Sequence, residues 1–121
     1  MAMTVEISTL KKRSEFLAIA APNKKFVTRS LVIQYRKNPE GSDAISVGYT
    51  VTKKQGNAVM RNRMKRRMRA AVRDIFATHA QAGYDYVLIG RHQLRDYAYD
   101  KLTQDMIFAL GHIHKKKEQA S

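Results

Sequence analysis

At 121 residues the chain is the size of one domain, long enough for a real core and too short for two. Hydrophobic residues make up 44% and charged residues 27%, which excludes extended disorder, and the lack of cysteine excludes a disulfide scaffold, a thiolate nucleophile and a cysteine-based zinc site. Lys and Arg number 23 against 10 for Asp and Glu, a formal +13 whose self-repulsion calls for a polyanionic partner, either nucleic acid or an anionic membrane.

Met1 to Leu10 reads as a loose N-terminal arm, with residues 1–9 outside the folded part of a single domain spanning 1–121. Lys11-Lys12-Arg13 followed by Phe16-Leu17-Ala18-Ile19-Ala20-Ala21 has only six apolar residues, too few for a signal peptide or a membrane span, so a soluble, cytoplasmic protein is expected. Ser14 is placed to cap a short helix over Glu15 to Ala20, stopped by Pro22. Leu31 to Arg36 reads as a strand, Asn38 to Asp43 as a turn, and Ile45 to Thr52 as a second strand. In the second, Ile45, Val47, Tyr49 and Val51 share one face, and Ser46, Gly48, Thr50 and Thr52 the other; the two strands are expected to form a hairpin. Asn57 is placed to cap a helix from about Ala58 to His79, because Met60, Met64, Met68, Ala71, Val72, Ile75 and Phe76 recur at helical spacing. Gly83 ends the next connection, and Tyr86-Val87-Leu88-Ile89 has the unbroken apolarity of a strand buried on both faces. A last helix carries Tyr99, Leu102, Met106, Ala109, Leu110 and Ile113 on one stripe, before a polar tail over 115–121 that is expected to fray. With no repeat and no linker, these elements predict an α+β domain, a small sheet with helices packed against it.

The functional signal is one helix. Between Lys53 and Arg73 stand nine basic residues and no acidic one: Lys53, Lys54, Arg61, Arg63, Lys65, Arg66, Arg67, Arg69 and Arg73. Arg61, Lys65, Arg69 and Arg73 are four apart and line one stripe, with Arg66 beside it, and the opposite methionine face drives the cations outward. A merely solvated face interleaves signs, because Glu–Lys pairs stabilise it and like charges at that spacing each cost a few tenths of a kcal/mol. Arginine dominates, and its planar fork suits bidentate phosphate contact. A membrane helix would bury bulky Leu, Phe and Trp, whereas this apolar face is Met, Ala and Val until Ile75. Cations spread over the open side of a sheet-backed helix suit phosphate contact better than reading of base edges.

The run Lys53-Lys54-Gln55-Gly56-Asn57-Ala58-Val59-Met60-Arg61-Asn62-Arg63-Met64-Lys65-Arg66-Arg67-Met68-Arg69 resembles the Arg-Asn-Arg signature of the bacterial ribonuclease P protein family. Leu10 to Phe16, Ser46 to Thr52 and Tyr84 to Ile89 are similar to other segments of that family, so the resemblance spans most of residues 9 to 110. It implies a small mixed sheet packed with helices, of the ribosomal-protein-S5-domain-2-like kind, with a left-handed βαβ crossover, an exception to the usual hand. It also implies the non-catalytic protein subunit of a ribonucleoprotein endoribonuclease that removes the 5′ leader of precursor tRNA. The partners are then ribonuclease P RNA and precursor tRNA. The chemistry belongs to the RNA and its Mg²⁺, and the free protein is expected to be a monomer. By the same resemblance Lys53, Lys54, Arg61, Asn62, Arg63, Lys65, Arg66, Arg69 and, along the stripe, Arg73 contact RNA, while Phe16 and Thr50 line a cleft for the leader. Ser46, Gly48 and Thr50 give that cleft a small-residue floor, and Phe16 is either a base-stacking ring or a plain core aromatic. Ala20 and Gln34 stand where many members have aromatics, and Ser46 where many have Arg, which implies a different arrangement of leader contacts.

No catalytic or metal site is expected in the chain itself. Its acids are scattered, and His112 and His114, two apart on a helix, diverge by about 200°. The rival readings are a general or ribosomal-type RNA-binding protein without a processing role, and a metal-dependent nuclease.

Overall fold

The chain runs β1 (Ile7–Thr9), α1 (Arg13–Ala20), β2 (Lys25–Val27), β3 (Leu31–Lys37), β4 (Ile45–Thr50), a 3₁₀ turn (Lys53–Gln55), α2 (Ala58–His79), β5 (Tyr84–Gly90), a second 3₁₀ turn (His92–Arg95) and α3 (Tyr99–Ala120). These elements come from a computed structural model that describes residues 7–120, with side chains through Lys115. The strands form one mixed sheet in the order β1-β4-β5-β3-β2. β5 holds the centre, antiparallel to β3 and parallel to β4, and its buried residues Asp85, Tyr86, Val87 and Leu88 point alternately to both faces. β4 and β5 are therefore a parallel pair with α2 as their crossover, a βαβ unit.

This order corrects the expected hairpin. β3 and β4 are neighbours in sequence but not in the sheet, because the most apolar strand takes the position between them. The expected arm is corrected too: Ile7–Thr9 is an edge strand, parallel to β4 with Ile7 opposite Ile45 and Thr9 opposite Val47, while residues 1–6 lie outside the described residues. Lys12, not Ser14, occupies the cap of α1, where its backbone N–H donates to Glu15 Oε1 at 3.2 Å. β2 has no counterpart among the predicted strands, and α3 continues through Ala120 into the stretch expected as a tail.

The α2 boundaries match the predicted ones, and the physics is local. Asn57 Oδ1 accepts the Met60 N–H at 2.9 Å, and Met64, Met68, Ala71, Val72, Ile75 and Phe76 are all buried. They meet Leu31, Ile33, Ile45, Val47, Tyr86 and Leu88 from the sheet and Leu102, Met106 and Leu110 from α3 in one cluster. Each such side chain contributes about 1.5–3 kcal/mol through burial. The Tyr86 hydroxyl reaches across this core to His114 Nε2 at 2.7 Å, so His114 is a buried structural residue while His112 stays exposed. Ile19 and Val87 are buried outside the cluster, on the opposite side of the sheet, where α1 lies. The layers are thus α1, sheet, and α2 with α3.

Candidate nucleic-acid interface

The route into α2 is a tight one. β4 stops at Thr50, the 3₁₀ turn carries the exposed Lys53 and Lys54, and Gly56 takes a φ of +139° that favours glycine. Arg61 Nε donates to the Gly56 carbonyl at 3.2 Å, which folds the first arginine of the helix back over its own entry turn.

Along α2 the cations separate into two flanks. Asn62, Arg63, Arg66, Arg69 and Arg73 are exposed, and Arg61 and Lys65 are half-buried. Arg69 lies over the ring of Tyr49 from β4, 5.4 Å from its centroid, a cation–π contact that fixes the guanidinium above the sheet edge. Burial pushes the Tyr49 hydroxyl up to about 12, against the opposing pull of Arg69. Arg67 departs from the expected outward set. Its guanidinium turns in and donates to the carbonyl of Tyr97, at the approach to α3. Two turns further on, the carboxylate of Asp74 accepts the Tyr99 hydroxyl, and Arg73 Nε stands 3.7 Å from it. One flank is thus stapled to α3, and the rest of the polar surface is left as uncompensated positive charge.

The second surface lies on the α1 face of the sheet. The strand registers align three rows across it: Ser8, Ser46, Asp85 and Arg36; then Gly48, Val87 and Gln34; then Thr50, Ile89 and Val32. Phe16 from α1 presses on the middle row, and a Cβ built on Gly48 would stand 2.6 Å from its Cε2 and Cζ. Only glycine permits that approach, with Leu10 bordering it. Phe16 and Thr50 are both half-buried, so the ring covers the floor and keeps an accessible side. Gln34 and Ala20 are half-buried as well. Arg36 Nε donates to Asp85 Oδ2 at 3.0 Å, and the Asn38 amide to Asp85 Oδ1 at 3.4 Å, directly across from Ser46.

The structure thus brings Phe16 and Thr50 together on one face and gathers the basic residues on α2 at the other. The two meet where Lys53 and Lys54 follow β4. Sequence reasoning missed Tyr49, Arg36 and Asp85. Arg36 and Asp85 become opposite only when β3 pairs with β5, and the expected hairpin concealed that pairing. Among the described residues no three His, Asp or Glu side chains are grouped to hold a metal ion. No described helix is long and apolar enough to cross a membrane.

The fold and these surfaces define a class: an α+β protein with a sheet-backed helix of exposed arginines, the chemistry that suits a polyanion, and with a small-residue sheet face under one aromatic ring on the other side. The family model Ribonuclease P matches residues 6–114. The ribonuclease P protein component of Paramagnetospirillum magneticum is 41% identical over 114 residues, covering 92% of this chain and 86% of the relative. That of Ruegeria pomeroyi is 43% identical over 113 residues, covering 92% and 90%. Among solved structures, the RNase P protein from Thermotoga maritima aligns with a TM-score of 0.75 at 28% identity, over 87% of this chain and 96% of that one. The Staphylococcus aureus RNase P protein aligns with a TM-score of 0.72 at 27% identity, over 86% and 93%. The chain belongs to the ribonuclease P protein family, the protein subunits of a holoenzyme whose endoribonuclease activity resides with the RNA.

Proposed function

We propose that this chain binds ribonuclease P RNA through α2 and holds the 5′ leader of precursor tRNA in the cleft beneath α1, assisting Mg²⁺-dependent removal of the leader. The observation that carries the reading is the junction of the two surfaces: Lys53 and Lys54 stand between the exposed cations of α2 and the Thr50 end of the cleft. Arg63, Arg66, Arg69 and Arg73 neutralise phosphates, with Arg61, Asn62 and Lys65 at their border. Phe16 offers a ring for a base, and Thr50 a hydroxyl beside it. Mg²⁺ is held mainly by the RNA, whose phosphates supply oxygen ligands and negative charge. The free chain is a cytoplasmic monomer, since the +13 of each copy opposes self-association.

The chain's part in the reaction is to position. It neutralises the phosphates of both RNAs so that they approach, and it keeps the single-stranded leader extended and away from refolding. Cleavage of precursor tRNA at low Mg²⁺ is the test. Product is expected only when the protein and its cognate RNA are both present, and cleavage by the protein alone overturns the proposal.

A further inference from the structure

We propose that the cleft ends in a pocket that reads one unpaired guanine of the RNA lying in it, through Arg36 on one side and the carboxylates of Glu15 and Glu40 on the other. The inference rests on the reading that the leader occupies the cleft.

The pocket, of about 100 Å³, lies at the row of Ser46, Asp85 and Arg36, and Glu15, Asn38 and Glu40 also line it. Three of the chain's ten acidic residues therefore line one small pocket, spread along its wall, on a protein of charge +13. Asp85 is only 3% exposed, and it takes one edge of Arg36 through Nε at 3.0 Å. The Arg36 side chain is 25% exposed, and its terminal nitrogens make no hydrogen bond within the described residues. The guanidinium is therefore fixed in orientation by a buried carboxylate while its remaining donors are unspent. A buried ion pair of this kind is weak evidence for stability, because apolar residues of the same volume serve as well.

The lining selects among ligands. A phosphate would meet three carboxylates against one guanidinium, and the acids are not grouped to hold a metal. A nucleobase is uncharged and carries donors and acceptors on fixed edges. Guanine presents two adjacent acceptors, O6 and N7, which suit a guanidinium, and two adjacent donors, N1–H and the 2-amino group, which suit one carboxylate. Adenine would turn its 6-amino donor toward Arg36, uracil separates its two carbonyl acceptors by N3–H, and cytosine offers N3 and O2 to a guanidinium but only its 4-amino group to a carboxylate, against the two donor positions of guanine. The position also fits a strand of RNA. The row lies two residues along β4 from Gly48, about 6.6 Å, so a base stacked on Phe16 leaves its neighbour at the pocket.

The test uses the holoenzyme assembled from the full chain and its cognate RNA, with precursor tRNAs whose leaders differ at one position at a time. At one leader position guanosine is expected to raise kcat/KM by about 5- to 150-fold over the other bases, the range of one good bidentate contact. Inosine, which lacks the 2-amino group, is expected to fall between guanosine and adenosine. Glu40→Gln is expected to shrink the guanosine advantage, and Arg36→Ala to abolish it, with a thermal melt to verify that the second variant folds around its uncompensated Asp85. Equal rates for all bases at every position, or a preference for another base, overturn the pocket while a benefit from lengthening the leader still upholds the cleft. If leader length has no effect on affinity, the cleft reading fails and takes the pocket with it.

Discussion

On one face of the sheet Ile45, Val47, Tyr86 and Leu88 disappear beneath α2 and α3; on the other, Ser46, Gly48 and Asp85 alternate with them along the same strands under the eight-residue α1. The first face is apolar and closed. The second is small, polar and partly open, and its largest covering group is one aromatic ring. Strand alternation thus assigns stability to one set of residues and recognition to the set interleaved with it, with the helix cations beyond both. Substitutions one position apart in sequence are expected to fail in different assays.

The largest effect belongs to the closed face. Phe76→Ala is expected to lower unfolding stability by about 3–5 kcal/mol in denaturant titration, while the folded fraction keeps its affinity for leader-bearing RNA. Failure of fully folded Phe76→Ala to bind RNA would break the division. On the helix surface, replacing Arg63 and Arg66 together by Ala is expected to leave stability within about 0.5 kcal/mol. The same change should flatten the dependence of log K on log salt by roughly 1.4, about 0.7 for each phosphate left unneutralised on single-stranded RNA. An unchanged slope would remove both residues from the phosphate-binding set. On the open face, Phe16→Leu keeps an apolar cover over Gly48 but deletes the ring, and should weaken leader-bearing precursor by about 1–3 kcal/mol. Equal weakening of leaderless tRNA would show that Phe16 acts through the fold.

Tyr49 offers the finest division, because it stands on the closed face yet carries Arg69. Tyr49→Leu is expected to weaken RNA binding by about 0.5–1 kcal/mol, and Tyr49→Phe to restore it, since the ring and not the hydroxyl holds the guanidinium. The hydroxyl has a separate signature. Its raised folded value means that the neutral form is favoured by the fold, so its contribution is complete below pH 10.0, the ordinary tyrosine value, and is lost as pH rises through about 12. An alkaline stability limb no flatter in Tyr49→Phe than in the parent would contradict that assignment.

The features legible in the sequence are those fixed over short range. α2 could be bounded to the residue because its cap, its methionine stripe and its cations are all encoded within one helix, and β5 announced itself by unbroken apolarity. The errors concern partners. Asn38 to Asp43 has hairpin composition, yet no local signal says that β5 will enter between β3 and β4. β1 and β2 are three-residue strands whose order comes from the strands they join, β1 from β4 and β2 from β3. Arg67 looked like its neighbours and differs only because α3 passes on that side. The cleft residues Phe16 and Thr50 came from family resemblance. Their juxtaposition through Gly48, and the Arg36–Asp85 pair beside them, needed the register of three strands.

The central place of β5 also sets a schedule for synthesis. A ribosome releases β3, β4 and the whole arginine helix before the strand that must lie between the first two has been made. Until residue 90 is clear, Leu31, Ile33, Ile45 and Val47 have no finished sheet to share, and most of the long-range pairing is still to come. The cations that seek RNA are therefore complete while the scaffold that aims them is not, and a chain cut short of β5 would carry the charge without the geometry.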